Sequence, residues 1–242
     1  MKNHISLKNQ SGQDLELERE FYARFNFQEC LEGPYWMDIF SRFVQIADSK
    51  DEVLDLCCGD GSWDMVIALK GYQTLGVDLS KDMLEKRESL FKKYQQKSKS
   101  LLGDCTRLPL KAESFKTITI ISGLHHFPNK EPIIREVSRV GTRDAVFFAW
   151  EPNLFNPLIW FDYWYKLKIK KDQTYSQNEY PINPLRLRSW LKMYFQDVRV
   201  YTVRALPNRG IWDRMDRLIS KIPVLNLFGA IIVVVASSPK KK

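Results

Sequence analysis

The sequence predicts an α/β protein in which helices cover both faces of a mainly parallel sheet, and three observations lead there. Apolar strand-like runs alternate with helical patterns from about residue 50 to 150. The first run, Val53 to Leu56, feeds a turn in which Gly59 and Gly61 bracket an acid. Acidic residues recur where successive strands end, at Asp55, Asp78 and Asp104.

Taken in order, residues 1 to 12 read as unstructured. Asp14 to Cys30 is amphipathic, acidic early and then aromatic, and Gly33-Pro34 breaks it. Tyr35 to Ala47 reads as a helix with Trp36, Ile39, Phe40, Phe43 and Val44 on one side. These N-terminal helices, residues 1–49, either cap the ligand site or pack on a sheet edge. Val53 to Leu56 is a buried strand; Ser62 to Lys70 has helical spacing and stops at Gly71. Tyr72 to Asp78 is the next strand, and Ser100 to Gly103 the third. Ala145 to Trp150 is the fifth, ending in Glu151-Pro152-Asn153. Residues 154–190 interrupt the alternation, and strand pattern resumes at Asp197 to Val203 and Ala230 to Ala236.

Ligands of such sheets bind beyond the carboxyl ends of the strands, which puts Cys57 to Gly61, Asp78, Asp104, Ser122 to His126 and Glu151 to Asn153 on one rim. The turn departs from a dinucleotide fingerprint, because Asp64 stands where a third glycine belongs. Asp78 can accept both hydroxyls of a ribose, and Asp104 can accept from an exocyclic amine such as that of adenine. A nucleoside is therefore expected, its far end near Cys57 to Gly61.

This constellation resembles the class I S-adenosylmethionine (SAM)-dependent methyltransferases, in the small-molecule branch of the ubiquinone and menaquinone enzymes. Asp55-Leu56-Cys57-Cys58-Gly59-Asp60-Gly61 is similar to the family's D-x-G-x-G-x-G, with Cys57 in place of the first glycine. Gly76 to Ser80 resembles the ribose-binding segment. Gly103 to Thr106 with Leu108-Pro109-Leu110 resembles the adenine-binding segment. Phe115 to His126 resembles the fourth strand and active-site loop, and Ile133 to Val140 the helix before strand five. The resemblance implies a Rossmann-like three-layer sandwich: a mostly parallel seven-stranded sheet ending in an antiparallel C-terminal hairpin. It implies SAM as cofactor, held by Asp55, Cys57, Cys58, Gly59, Gly61, Asp78, Leu79, Met83, Asp104, Cys105 and Ser122. Residues 50–242 are then the SAM-binding domain, with insertions at about 154–190 and 204–224 shaping the acceptor pocket.

Composition narrows the classes. The chain has 242 residues, 44% hydrophobic and 27% charged, as in an ordinary globular protein. No apolar run is long enough to span a bilayer; the best candidate, Ile222 to Ala236, is interrupted by Asn226 and Gly229. The N-terminus lacks a signal-peptide core, and Cys30, Cys57, Cys58 and Cys105 have no metal-ligand spacing. A reduced, cytoplasmic, metal-free protein is expected. The net charge of +8 has no nucleic-acid recognition module around it, so nucleic acid is an unfavoured partner. The lysines from Lys81 to Lys99 alternate with Asp82, Glu85 and Glu88 and read as a solvated helix face.

Methyl transfer from a sulfonium needs positioning and a dry site, and an oxygen acceptor also needs a base. His125 or His126, just after the fourth strand, is the candidate; the alternative is a histidine packed in its loop. The aromatic stretch 154 to 165, followed by Lys166, Lys168, Lys170 and Lys171, reads as a pocket wall, a membrane-surface contact through 154–171, or core. The expected acceptor is a hydrophobic or amphipathic small molecule, quinone-like, lipid-linked or another secondary metabolite, methylated on oxygen or carbon. The rival readings are a nucleic-acid methyltransferase and a non-catalytic SAM-binding protein.

Overall fold

In a computed structural model, residues 34–48, 51–165, 180–203 and 225–240 are described. The expected segment Asp14 to Cys30, the lysines 166–171 and the insertion 204–224 lie outside them. Helix α1 spans Pro34–Phe43. There follow β1 (Glu52–Leu56), α2 (Ser62–Ala68), β2 (Gln73–Asp78), α3 (Lys81–Lys93), β3 (Lys99–Leu102) and β4 (Phe115–Ile121). The chain continues through α4 (Glu131–Val140), β5 (Gly141–Pro152), α5 (Pro157–Trp164), α6 (Pro184–Tyr194), β6 (Phe195–Val203) and β7 (Ile231–Pro239).

The described strands form one seven-stranded sheet in the order β3-β2-β1-β4-β5-β7-β6. The strands from β3 through β5 pair in parallel, and β7 runs antiparallel to both β5 and β6. This is the expected sandwich with its antiparallel C-terminal pair.

The period-two alternation of strands sorts the core into two layers. Leu54, Leu56, Ile118, Ile120 and Phe147 face α4 and α6, where Ile133, Val137, Leu187 and Leu191 are fully buried. Val53, Phe148, Trp150 and Val233 face the other way, onto Ile39 and Phe43 of α1 and Trp63 and Ile67 of α2. The Phe43 ring meets Trp63, Tyr72 and Phe148 at centroid distances of 6.0, 5.3 and 5.8 Å. Helix α1 thus lies on the sheet. It ends at Phe43, short of the expected Ala47, and leaves Val44 exposed rather than on the apolar side.

Asparagine followed by proline starts two helices. Asn156 Oδ1 accepts from the N–H groups of Leu158 and Ile159, and Asn183 Oδ1 from those of Leu185 and Arg186; Pro157 and Pro184 occupy first-turn positions where no N–H is needed. The expected insertion 154–190 is divided accordingly. Helix α6 packs into the core beside β6, whereas no residue of α5 is buried. Among the described residues no helix is long and apolar enough to cross a membrane.

Candidate active site

Strand order reverses between β1 and β4, and the turns after these two strands meet there. The approach is close: a Cβ on Gly123 would lie 2.8 Å from Cys57 Cβ. In the first turn Cys57, Gly59 and Gly61 all have positive φ, at 57°, 52° and 75°. Gly61 is doubly required, since a Cβ there would also meet Arg87 Cγ at 2.3 Å.

Asp78 ties this turn to β2. Its Oδ2 accepts from Gly59 N at 2.9 Å and its Oδ1 from Ser80 N at 2.8 Å. Burial raises its carboxyl above the usual range, opposed by these N–H donors. Each oxygen keeps a lone pair for a ligand hydroxyl. Leu79 beside it is 57% exposed and Leu102, at the end of β3, 54%. Carboxylate and bare leucines together suit a diol attached to a flat apolar base, so the residues fit an adenosyl group. Asp104 Oδ1 accepts from the backbone N–H and the hydroxyl of Thr106, at 2.8 and 2.7 Å, which fixes the third acid at the rim.

Other expected contacts sit deeper. Met83 is 1% exposed, under the start of α3, so its side chain packs in the interior. Cys58 and Cys105 are buried, with Sγ atoms toward the carbonyls of Gly59 and Val77. Cys57 is partly exposed; the Cys105 thiol beside it, then burial, push its thiol well above the usual range. Asp55 points inward, away from the rim, and accepts from Thr119 Oγ1 at 2.5 Å. Burial, then the neighbouring Asp64, raise its carboxyl strongly. Ser122, exposed and at φ 55°, hangs at the rim by its N–H on Trp150 O.

The second turn, Leu124–His126, is fastened by Glu151 from the end of β5. Glu151 Oε1 accepts from the N–H groups of Gly123 and Leu124 at 2.9 and 2.7 Å, and Oε2 from His125 N at 3.3 Å. The same Oε2 lies 2.9 Å from His125 Nδ1. The His125 ring borders a cavity of about 130 Å3 lined also by Pro152, Ile159, Asp162, Tyr163 and Tyr180. His126 stacks obliquely on His125, with centroids 4.2 Å apart, and burial, then His125 and Lys130, lower its pKa to about 3. Of these groups, sequence reasoning placed Glu151 on the rim but gave it no partner. It gave no role to Leu102, Asp162 or Tyr180, whose significance depends on what surrounds them.

Comparison with known proteins agrees with this fold. Residues 53–144 match the family described as a methyltransferase domain. The demethylmenaquinone methyltransferase of Lactiplantibacillus plantarum is 31% identical over 131 residues, 50% of this chain and 54% of that one. That of Bacillus licheniformis is 33% identical over 108 residues, 43% of this chain and 46% of that one. The chain spans about half the length of the curated relatives it matches. A SAM-dependent methyltransferase from Thermotoga maritima shares the fold at a TM-score of 0.66 and 15% identity, over 93% of this chain and 99% of that one. A phosphoethanolamine N-methyltransferase from Haemonchus contortus does so at 0.62 and 15%, over 85% and 53%. Over residues 53–144 the chain is thus similar to a methyltransferase domain, and its sheet shares the fold of solved SAM-dependent methyltransferases. Over about half their length it also resembles the demethylmenaquinone methyltransferases.

Proposed function

We propose that this chain transfers a methyl group from SAM to an oxygen or carbon of a small lipophilic acceptor, quinone-like in the favoured reading. The carrying observation is His125, bonded through Nδ1 to the buried Glu151 and bordering the aromatic cavity. Bound SAM would supply an activated methyl on a sulfonium. Asp78 would hold the ribose, Asp104 the adenine end, and the turn from Cys57 to Gly61 the methionine part.

The Glu151 carboxylate favours the tautomer with a proton on Nδ1, an assignment made from this hydrogen bond. That leaves Nε2 with a lone pair to take the proton of an acceptor hydroxyl. His126 is a poorer base, because a pKa of about 3 leaves it little proton affinity near neutrality. Tyr163, Tyr180 and Ile159 give the cavity the apolar wall such an acceptor needs. Peripheral contact with a membrane through 154–171 belongs to the same reading.

Cell extract incubated with the protein and methyl-labelled SAM, then analysed by mass spectrometry, tests this. The label is expected in the apolar extract. Label confined to a nuclease-sensitive fraction would move the protein to nucleic acid. SAM binding without S-adenosylhomocysteine in any extract would make it a binding protein.

A further inference from the structure

We propose that helix α5 seats this protein on an anionic phospholipid surface with its outer face, while its inner face walls the acceptor cavity. The proposal rests on the reading of the His125 cavity as the acceptor site. At about 100° per residue, Ile159, Asp162 and Tyr163 fall on one side of the helix, and these three line the cavity. Leu158, Trp160, Phe161, Trp164 and Tyr165 fall on the other. They are 54, 49, 56, 39 and 39% exposed.

The outer face is organised. Trp160 and Trp164 stack at 6.5 Å and 11°, and Phe161 stacks on Tyr165 at 6.3 Å. Its base is fixed: Asn156, 1% exposed, caps the helix through Oδ1 and donates through Nδ2 to Phe228 O at 2.7 Å. Leu227 and Phe228 of that neighbouring turn are themselves 38 and 42% exposed. A contiguous aromatic face held by buried polar bonds marks an interaction site.

Charge selects the occupant. The only acid of α5, Asp162, is on the inner side with the cavity. Directly after Tyr165 the sequence carries Lys166, Lys168, Lys170 and Lys171, in a chain of net charge +8. Tryptophan and tyrosine favour the lipid–water boundary, and adjacent lysines favour an anionic leaflet. An acceptor dissolved in that leaflet would meet the cavity from the opposite side of the same helix.

Co-sedimentation of the full chain with phosphatidylcholine vesicles, with and without phosphatidylglycerol, tests this at low salt. The anionic vesicles should bind at least about tenfold more tightly than the neutral ones. Trp160→Ser with Trp164→Ser should weaken that binding at least about tenfold and leave SAM affinity by calorimetry within about twofold. Lys168→Gln with Lys170→Gln must also weaken it, and this pair serves if the tryptophan variant unfolds. Wild type that ignores anionic vesicles overturns the proposal, and a dimer dissolved by the tryptophan substitutions would then assign the face to a second copy. Vesicle binding unchanged in both variants also overturns it. Absence of SAM binding in wild type would instead defeat the methyltransferase reading, whatever the vesicles show.

Discussion

Arg87 Nε donates to Asp64 Oδ2 at 2.7 Å, and neither side chain reaches solvent. The other guanidinium nitrogens donate to Thr74 at 2.9 Å, Ser98 at 2.6 Å and Ser100 at 3.0 Å, while Cζ lies 4.3 Å from the Phe91 ring centroid. Asp55 neighbours Asp64, and burial raises the carboxyls of both above the usual range, against the pull of the guanidinium. One guanidinium and two carboxyls then fill the space under the glycine turn, joining α2, α3 and the β2–β3 edge beneath the place proposed for the methionine part of SAM.

Removing the cation strands Asp64 in the interior. Arg87→Met should destabilise by about 3–5 kcal/mol, and adding Asp64→Leu should recover most of that loss. Urea denaturation of the single and double variants reads this out. A single variant as stable as wild type would mean the pair contributes nothing.

Asp78→Ala should weaken SAM binding by about 2–4 kcal/mol, since a diol loses a charged acceptor and Gly59 N loses its anchor. Calorimetry on the folded variant decides; wild-type affinity would remove Asp78 from the site.

For an oxygen acceptor, His125→Gln should lower kcat by about 10²–10⁴-fold, with SAM affinity nearly unchanged. His126→Gln should cost far less. Steady-state kinetics that reverse this ranking would transfer the base to His126.

His126 also predicts a pH effect on stability. Its folded pKa, about 3, lies below the ordinary 6.5, so between those values the unfolded chain binds a proton that the folded one refuses. The group therefore costs nothing above about pH 6.5, and stability falls as pH drops through that window, by at most about 1.4 kcal/mol per unit. His126→Phe should flatten this slope in denaturation measured from pH 4 to 7. An unchanged slope would place its origin in other groups.

Cys57 is the partly exposed thiol beside the buried Cys58 and Cys105. In a Cys30→Ser background, maleimide should label Cys57 before the other two, slowly because its thiol is held protonated, and SAM should protect it. Peptide mapping that finds Cys58 or Cys105 labelled first would contradict the packing of the turn.

The β1 strand, its turn and α2 were legible because their signals are local: an apolar run, two glycines and a helical pattern within a score of residues. Asp78 and Asp104 were legible because strand ends define a rim. The Asp64–Arg87 pair was not. Arg87 sits among lysines and acids that read as a solvated face, and only the packing of α3 on α2 turns it inward. Asp64 registered merely as the wrong residue for a third glycine. The bond between His125 and Glu151 joins the ends of β4 and β5, 26 residues apart, and no spacing rule foretells that contact. Asp55 read as a ligand contact because its turn resembles D-x-G-x-G-x-G, whereas the alternation of β1 leaves its side chain 2% exposed, in the layer below.

Asn153 donates through Nδ2 to the carbonyls of Leu227 and Gly229, and bridges to Ile182. With Asn156 on Phe228 O, it clasps three separate stretches of chain at the far rim, while the proposed donor-binding turns hang from β1, β2 and β3. The molecule therefore has a seam suited to recombination. Grafting the stretch from 153 to 183 from a relative, together with its own partner for 225–230, should change which acceptor is taken and spare the donor side. Grafting the first stretch alone, from a relative without these two asparagines, would leave the carbonyls of Leu227, Phe228 and Gly229 without their donors.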